Sequence, residues 1–203
     1  MTVVLGKEMR MVESRARDRM VVAAADMLRR RGLNATSVRE LAKHSGAPLG
    51  STYHYFPGGK SQLATEAVRF VDGLVARKLA KDLSAGPVVA LREFVDMWRK
   101  VVLDSDFRAG CPVLAVSVED LPDTDDPRLA AAAAFDQWTG LLADSLRAHG
   151  AADAVATRTA TLIVAALEGC VAICRAQRDT AAMDRTADAL EEVVRGVIGH
   201  SGG

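Results

Sequence analysis

The chain has 203 residues, of which 49% are hydrophobic and 26% are charged, and its formal net charge is zero. This is enough apolar sequence to bury one large core or two smaller ones, which excludes intrinsic disorder and fibrous folds. No run approaches the roughly 18 consecutive apolar residues that a membrane helix needs, and residues 1–13 lack the apolar centre of a signal peptide. We therefore expect a cytoplasmic protein with no membrane partner.

Positive and negative charges are concentrated in different halves of the chain. Residues 1–81 contain 15 Lys and Arg against 7 Asp and Glu, whereas residues 82–203 contain 11 against 19. A basic segment joined to an acidic one indicates that the first half meets a polyanion, and DNA is the usual polyanion. Chance clustering on a solvated helical surface is the alternative explanation.

Apolar residues follow a helical spacing through almost the whole chain, and no segment alternates with a period of two, which predicts an all-α fold without a sheet. The first helix should end at Arg31, where three arginines precede Gly32. An irregular stretch is expected between Gly110 and Pro127. The predicted helices span about residues 15–31, 37–45, 48–56, 60–83, 88–102, 129–149, 153–178 and 183–198.

Two short helices separated by a glycine are predicted near the start of the chain. Thr36 or Ser37 can cap the first of them, and Glu40 completes a capping box with Ser37. Leu41 and Ala42 should face inward, and Gly46 permits a sharp turn, as in a helix-turn-helix. The second helix would then lie in the major groove of DNA.

Polar side chains on the second short helix suit contacts to DNA. Residues 48–51 would face base edges, while Tyr53, Tyr55 and Lys60 would donate hydrogen bonds to flanking phosphates. His54 would contact phosphate or solvent. Core packing of the two tyrosines and a merely solvated lysine are the alternatives. Helix pairs with a glycine turn are common, so the spacing alone does not define the function.

The segment TSVRELAKHSGAPLGSTYHYFPGGKSQL, residues 36–63, resembles the DNA-binding region of the TetR family of transcriptional regulators. The turn at residues 57–60 and the sequence Gly110-Cys111-Pro112 are similar to the LmrA-like branch of that family. The resemblance implies a three-helix DNA-binding domain at residues 1–62. A long fourth helix would join it to a helical ligand-binding and dimerisation domain at residues 63–203.

The resemblance also implies roles for individual residues in DNA binding. Arg39, with Leu49, Gly50 and Ser51, would approach bases, while Thr36, Tyr53, Tyr55 and Lys60 would hold phosphates. The complete predicted DNA-binding set is Thr36, Ser37, Arg39, Pro48, Leu49, Gly50, Ser51, Tyr53, His54, Tyr55 and Lys60.

Aromatic residues in the second domain could line an apolar pocket for a small apolar or aromatic effector, or could simply fill the core. Glu168 stands on an otherwise apolar helix, so it should either pair with an arginine or meet a donor or cation of a ligand. The predicted ligand-binding set is Phe94, Trp98, Phe107, Cys111, Phe135, Trp138, Leu142 and Glu168.

Three cysteines, Cys111, Cys170 and Cys174, form neither a disulfide framework nor a zinc pattern, so we expect core thiols and no metal or cofactor. A redox role for them is the alternative.

The last two helices carry wide apolar faces, which indicates either a subunit interface or burial within one domain. We expect a homodimer that pairs through these helices and binds a near-palindromic operator. An effector would act by letting the fourth helix change the spacing of the two recognition helices.

Two other functional classes fit the sequence less well. An enzyme should show a phosphate-binding loop, a serine elbow, metal-spaced histidines or an acid/base pair, and the sequence contains none of these motifs. A DNA-bending architectural protein is usually basic throughout, whereas half of this chain is acidic. The sequence therefore favours a ligand-responsive, DNA-binding transcriptional repressor.

Overall fold

The computed structural model describes residues 2–119 and 124–199, with side chains from residue 16 onward. The described residues form helices joined by short turns and contain no strand, which confirms the predicted all-α fold. The helices are α1 (Thr2–Arg31), α2 (Val38–Ser45), α3 (Leu49–Tyr55), α4 (Gly59–Leu83), α5 (Pro87–Asp104), α6 (Pro112–Ser117), α7 (Asp126–Ala148), α8 (Asp153–Gln177) and α9 (Ala181–Ile198).

The chain divides into two compact units. The first comprises Met1–Val71 and Pro112–Ala131, and the second comprises Asp72–Cys111 and Ala132–Gly203. Helix α4 therefore contributes residues to both units, and α6 belongs to the first unit although it follows α5 in the chain. The boundary between a DNA-binding domain at residues 1–62 and a ligand-binding domain at residues 63–203 stays a prediction.

The first unit is built around α1, which packs against α2, α3 and α6. The apolar stripe of α1 is buried, with Met20, Ala24, Met27 and Leu28 each 5% exposed or less. Ser37 is the residue that caps α2. Its Oγ accepts a hydrogen bond from the Glu40 amide at 3.2 Å, and the Glu40 carboxylate accepts one from the Ser37 amide at 3.3 Å. The predicted capping box is thus confirmed.

Several helix ends differ from the predicted ones. Helix α1 begins at Thr2 rather than near residue 15, and α6 occupies part of the stretch that was expected to be irregular. In both α6 and α7 a proline stands in the first turn, where its fixed φ favours a helix and its missing N–H costs nothing. Pro112 and Pro127 therefore stand in the first turns of helices, although both were expected to belong to an irregular stretch.

In the second unit, α5, α8 and α9 pack against one another. Helix α8 has a mean hydropathy of 1.6 over its most apolar 18 residues, so by length and composition it could cross a membrane, contrary to our expectation of no such segment. Half of that window is buried inside the protein, as is typical of the core helix of a globular protein.

Helix α4 is buried along only part of its apolar face. Leu63 and Ala67 are at most 1% exposed, but Phe70 and Leu74, which continue the same helical spacing of apolar residues, are 37% and 47% exposed. An apolar residue at a helical spacing therefore marks a possible contact surface, but it does not show that this chain covers that surface.

Candidate nucleic-acid interface and ligand site

The turn between α2 and α3 has the geometry that the glycine predicts. Gly46 adopts the left-handed conformation with φ of 68°, and the Ala47 amide donates to the Ala42 carbonyl at 3.0 Å, which ends α2. Leu41 and Ala42 are each 3% exposed and pack into the first unit, as predicted. The two short helices therefore form a helix-turn-helix whose inner side is fixed by apolar packing.

Most of the predicted DNA-binding residues lie on the exposed side of this helix pair. Tyr53 is 55% exposed and Leu49 is 37% exposed, which excludes core packing as the role of Tyr53. Gly50 is also exposed, and nothing lies within 4 Å of the position that a Cβ atom would occupy there. The exposed members of the set are Ser37, Arg39, Pro48, Leu49, Gly50, Tyr53 and His54, while Ser51, Tyr55 and Lys60 are half-buried.

Thr36 stands apart from this exposed set. It is 4% exposed, and its hydroxyl donates a hydrogen bond of 2.7 Å to the Gly32 carbonyl. Lys60 Nζ reaches the same loop and donates to the Asn34 carbonyl at 3.3 Å. Both residues thus stabilise the loop between α1 and α2, and the phosphate contacts that the family resemblance implies for them stay predictions.

Glu119 is a residue near this interface that the sequence analysis missed. Its two carboxylate oxygens accept hydrogen bonds from the backbone amides of Leu33, at 2.9 Å, and of Asn34. Gly32 has a φ of 77°, and a Cβ atom there would lie 2.0 Å from Glu119 Oε1. Because 86 positions separate Glu119 from Leu33, no local sequence pattern indicates this contact. Glu119 follows α6 and fixes the loop that leads into α2.

Four of the predicted ligand-binding residues form a ring cluster in the second unit. The ring centroids of Phe94 and Trp98 lie 6.4 Å apart, those of Phe94 and Trp138 also 6.4 Å, and those of Phe135 and Trp138 5.6 Å. The Trp138 indole donates to Asp72 at 2.9 Å, whereas Trp98 Nε1 is buried without a hydrogen-bond partner in the described structure. Leu142, one turn after Trp138, is also buried.

Phe107 does not join the ring cluster. It lies under the guanidinium group of Arg178, which is 5.7 Å from the ring centroid. Phe107 and its neighbour Asp106 both have positive φ values, 59° and 52°, which L residues rarely adopt. Arg178 also donates to the Asp106 carboxylate at 2.8 Å, so the end of α8 holds this strained loop in place.

Glu168 and Cys111, the last two members of the predicted ligand-binding set, lie together. Glu168 is 6% exposed, and burial raises its pKa from 4.5 to about 7, although a hydrogen bond from the Cys111 thiol acts in the opposite direction. Glu168 Oε2 has no hydrogen-bond partner, and no ion pair to Glu168 occurs within residues 16–119 and 124–199. The pairing with an arginine that the sequence left open is thus not present in the part of the chain that the structure describes.

The three cysteines are buried, and burial raises the pKa of the Cys170 thiol to about 11. Among the described residues, no three His, Cys, Asp or Glu side chains come together in a way that could hold a metal ion.

An exposed helix-turn-helix, followed by a helical second unit with its own core, defines a DNA-binding transcriptional regulator. Residues 21–67 match the family model of the bacterial regulatory proteins of the tetR family. Residues 87–189 match the model of the C-terminal domain of LmrA/YxaF-like transcriptional regulators. The chain belongs to the TetR family of transcriptional regulators, and its residues 87–189 are of the LmrA/YxaF type.

Individual relatives agree with this assignment. The chain is 42% identical over 173 residues to an HTH-type transcriptional regulator of Mycobacterium tuberculosis, covering 83% of this chain and 88% of that one. It is 29% identical over 156 residues to the HTH-type transcriptional regulator LmrA of Bacillus subtilis, covering 76% and 83%. The crystal structure of the regulatory protein TetR from Rhodobacter sphaeroides matches with a TM-score of 0.79 at 25% identity, covering 88% and 98%.

Proposed function

We propose that this chain is a cytoplasmic repressor that binds a near-palindromic DNA operator as a homodimer and is released by a small apolar effector. The observation that carries the proposal is the exposed side of the helix-turn-helix, where Arg39, Leu49 and Gly50 are all open to solvent. None of these three residues belongs to the buried core of the first unit, so all three are available to a duplex.

The readout of bases is assigned to Arg39 and the first turn of α3. An arginine can donate two hydrogen bonds to the edge of a guanine in the major groove, which is the commonest specific contact in protein–DNA complexes. Gly50 adds no side chain, so α3 can approach the duplex closely at that point. Tyr53, Tyr55 and Lys60 would hold the flanking phosphates and set the register without reading sequence.

Selection of bound sequences from random duplex DNA by the purified protein tests this assignment. We expect a near-palindrome with half-sites about one DNA turn, roughly 34 Å, apart. The affinity for the selected operator should fall steeply when the salt concentration is raised, because phosphate contacts release counterions. Recovery of no preferred sequence would contradict the proposal and favour an architectural role.

Substitution of Arg39 by alanine separates base readout from phosphate contact. Arg39→Ala should cost about 1–3 kcal/mol of binding free energy and relax specificity at one operator position. Lys43→Ala is the matched control, since Lys43 is an exposed cation at the other end of α2. Uniform weakening by Arg39→Ala across all operator sequences would instead assign Arg39 to a phosphate.

Apolar residues on the outer side of the last two helices support the homodimer. Leu162 and Ile173 of α8 are 47% and 46% exposed, and Val193 of α9 is 38% exposed. The small residues Ala165, Gly169 and Ala172 lie between the two α8 residues at helical spacing and are also exposed. A second copy of the chain would bury this continuous apolar stripe.

A charge placed in the stripe tests the homodimer. Ile173→Glu should convert the protein to a monomer in light scattering and reduce operator affinity. Val89→Glu is the matched control, because Val89 of α5 is 45% exposed but does not lie on α8 or α9. A wild-type protein that is monomeric at micromolar concentration would contradict this part of the proposal.

Release from the operator would follow from effector binding in the second unit. The effector must bind the released state better than the operator-bound state, and a near-complete switch requires a preference of about 5 kcal/mol. The change in spacing of the recognition helices through α4 remains part of this proposal.

A further inference from the structure

Glu168 is a buried carboxylate whose hydrogen-bonding capacity is not used up by the protein. The Cys111 thiol donates one hydrogen bond to it, but among the described residues Oε2 has no partner, and it lies out of contact with water. A carboxylate that serves only the fold is usually paired with a cation or surrounded by donors. Glu168 has neither in the described part of the chain, so Oε2 can accept a hydrogen bond from an incoming group.

The side chains that flank Glu168 on its face of α8 are apolar. Val164 and Val171, one turn before and after it, are 8% and 2% exposed, and α5, which carries Phe94 and Trp98 of the ring cluster, packs against α8. A ligand that reaches this carboxylate must therefore present an apolar body as well as a polar group. A positively charged donor gains more from a buried carboxylate than a neutral donor does, because water does not screen the attraction.

We propose that the effector is an organic cation, with an apolar body and a protonated amine that pairs with Glu168 Oε2. The inference rests on the proposed function, because it names the chemical class of the effector that would release the operator. It deepens the expectation of an apolar effector by assigning one charged group to it and one residue to that group.

The position of Cys111 provides a route from this site toward α6. An amine that pairs with Glu168 would compete with the Cys111 thiol for the carboxylate, and Cys111 directly precedes Pro112, the first residue of α6. The loop before Cys111 contains the strained residues Asp106 and Phe107, held by Arg178. Backbone strain of this kind is typical of segments that change conformation, so replacement of one contact beside this loop is suited to shift it.

The test uses matched probes of known charge. Four phenylalkylamines, from benzylamine to 4-phenylbutylamine, are compared with the four phenylalkanols of the same chain lengths, at pH 8 and without DNA. Binding is measured as the shift of the thermal unfolding midpoint against probe concentration, since a ligand of the folded state raises that midpoint. Glu168→Gln removes the charge at nearly constant volume, and Glu192→Gln, an exposed carboxylate on α9, is the matched control.

We expect at least one amine to bind the wild-type protein about tenfold more tightly than its alcohol. This preference should disappear in Glu168→Gln and persist in Glu192→Gln. Three results would overturn the inference: no amine binds, amine and alcohol bind equally, or the preference survives Glu168→Gln. Operator binding by the same variants is measured in parallel. Normal operator binding without an amine preference would refute only the effector class, whereas absence of an operator would refute the proposed function itself.

Discussion

Replacement of Glu168 by glutamine should change how the stability of the protein depends on pH. Burial raises the pKa of this carboxyl from 4.5 to about 7, so the folded protein binds the Glu168 proton more tightly than the unfolded chain does. Between these two values the folded state holds more protons, and the free energy of unfolding therefore falls as the pH rises. Above pH 7 the loss of stability caused by burying the ionised carboxylate is constant, and below pH 4.5 this loss vanishes.

The size of the effect follows from the difference between the two pKa values. Each unit of difference corresponds to about 1.4 kcal/mol, so the ionised carboxylate lowers the stability of the folded state by about 3 kcal/mol above pH 7. Glutamine keeps the shape of the side chain but cannot ionise. Relative to wild type, Glu168→Gln should thus become more stable by about 2–3 kcal/mol when the pH is raised from 5 to 8.

Urea unfolding followed by circular dichroism, at pH 5 and pH 8 and at one protein concentration, measures this change. The comparison of two pH values cancels any constant packing cost of the glutamine amide, and the fixed concentration removes the effect of dimerisation. Glu192→Gln on the surface of α9 controls for the loss of one carboxylate. If the free energies of unfolding of wild type and Glu168→Gln differ by the same amount at both pH values, burial does not raise the pKa of Glu168 as argued.

Three further predictions concern single residues. Glu119→Ala should lower the free energy of unfolding in urea by about 1–3 kcal/mol, because the amides of Leu33 and Asn34 lose their acceptor, whereas Glu119→Gln should lose roughly half as much. Gly46→Ala should cost about 1 kcal/mol in the same assay through its positive φ alone, since nothing lies near its Cβ position. The buried Cys170 thiol has a pKa of about 11, so at pH 8 it should react with iodoacetamide at least about 100-fold more slowly in the folded than in the unfolded protein. Peptide mass spectrometry measures the two rates, and equal rates would contradict the burial of Cys170.

Local patterns predicted most of the fold because local interactions form it. The helix-turn-helix follows from a capping box at Ser37, an inward Leu41 and a left-handed Gly46, all within a ten-residue window. The prolines were misread because the same residue breaks a helix from its interior and starts one from its first turn, and only packing distinguishes the two cases. Val113 and Val116, buried at helical spacing, stabilise α6 as a helix after Pro112.

The candidate sites were predictable only in part, because their geometry depends on residues far apart in sequence. The sequence marked Glu168 as unusual, but whether it paired with an arginine could be decided only by the packing of α8 against its neighbours. Glu119 carried no signal at all, since a glutamate at the end of a short helix is ordinary until the amides of Leu33 and Asn34 are placed beside it. Phe107 was grouped with the other aromatic residues by composition, although Arg178 covers it separately.

The pH dependence of Glu168 also sharpens the proposed recognition of an organic cation. Only the ionised carboxylate attracts an amine, and with a pKa of about 7 it is mostly ionised at pH 8 but only about one-tenth ionised at pH 6. The nearby Cys170 thiol does not change charge in this range, because burial raises its pKa to about 11. The apparent affinity for the best phenylalkylamine should therefore fall about tenfold between pH 8 and pH 6, while the affinity for the matched alcohol stays constant. An amine that binds equally well at both pH values would have to pair with a different group.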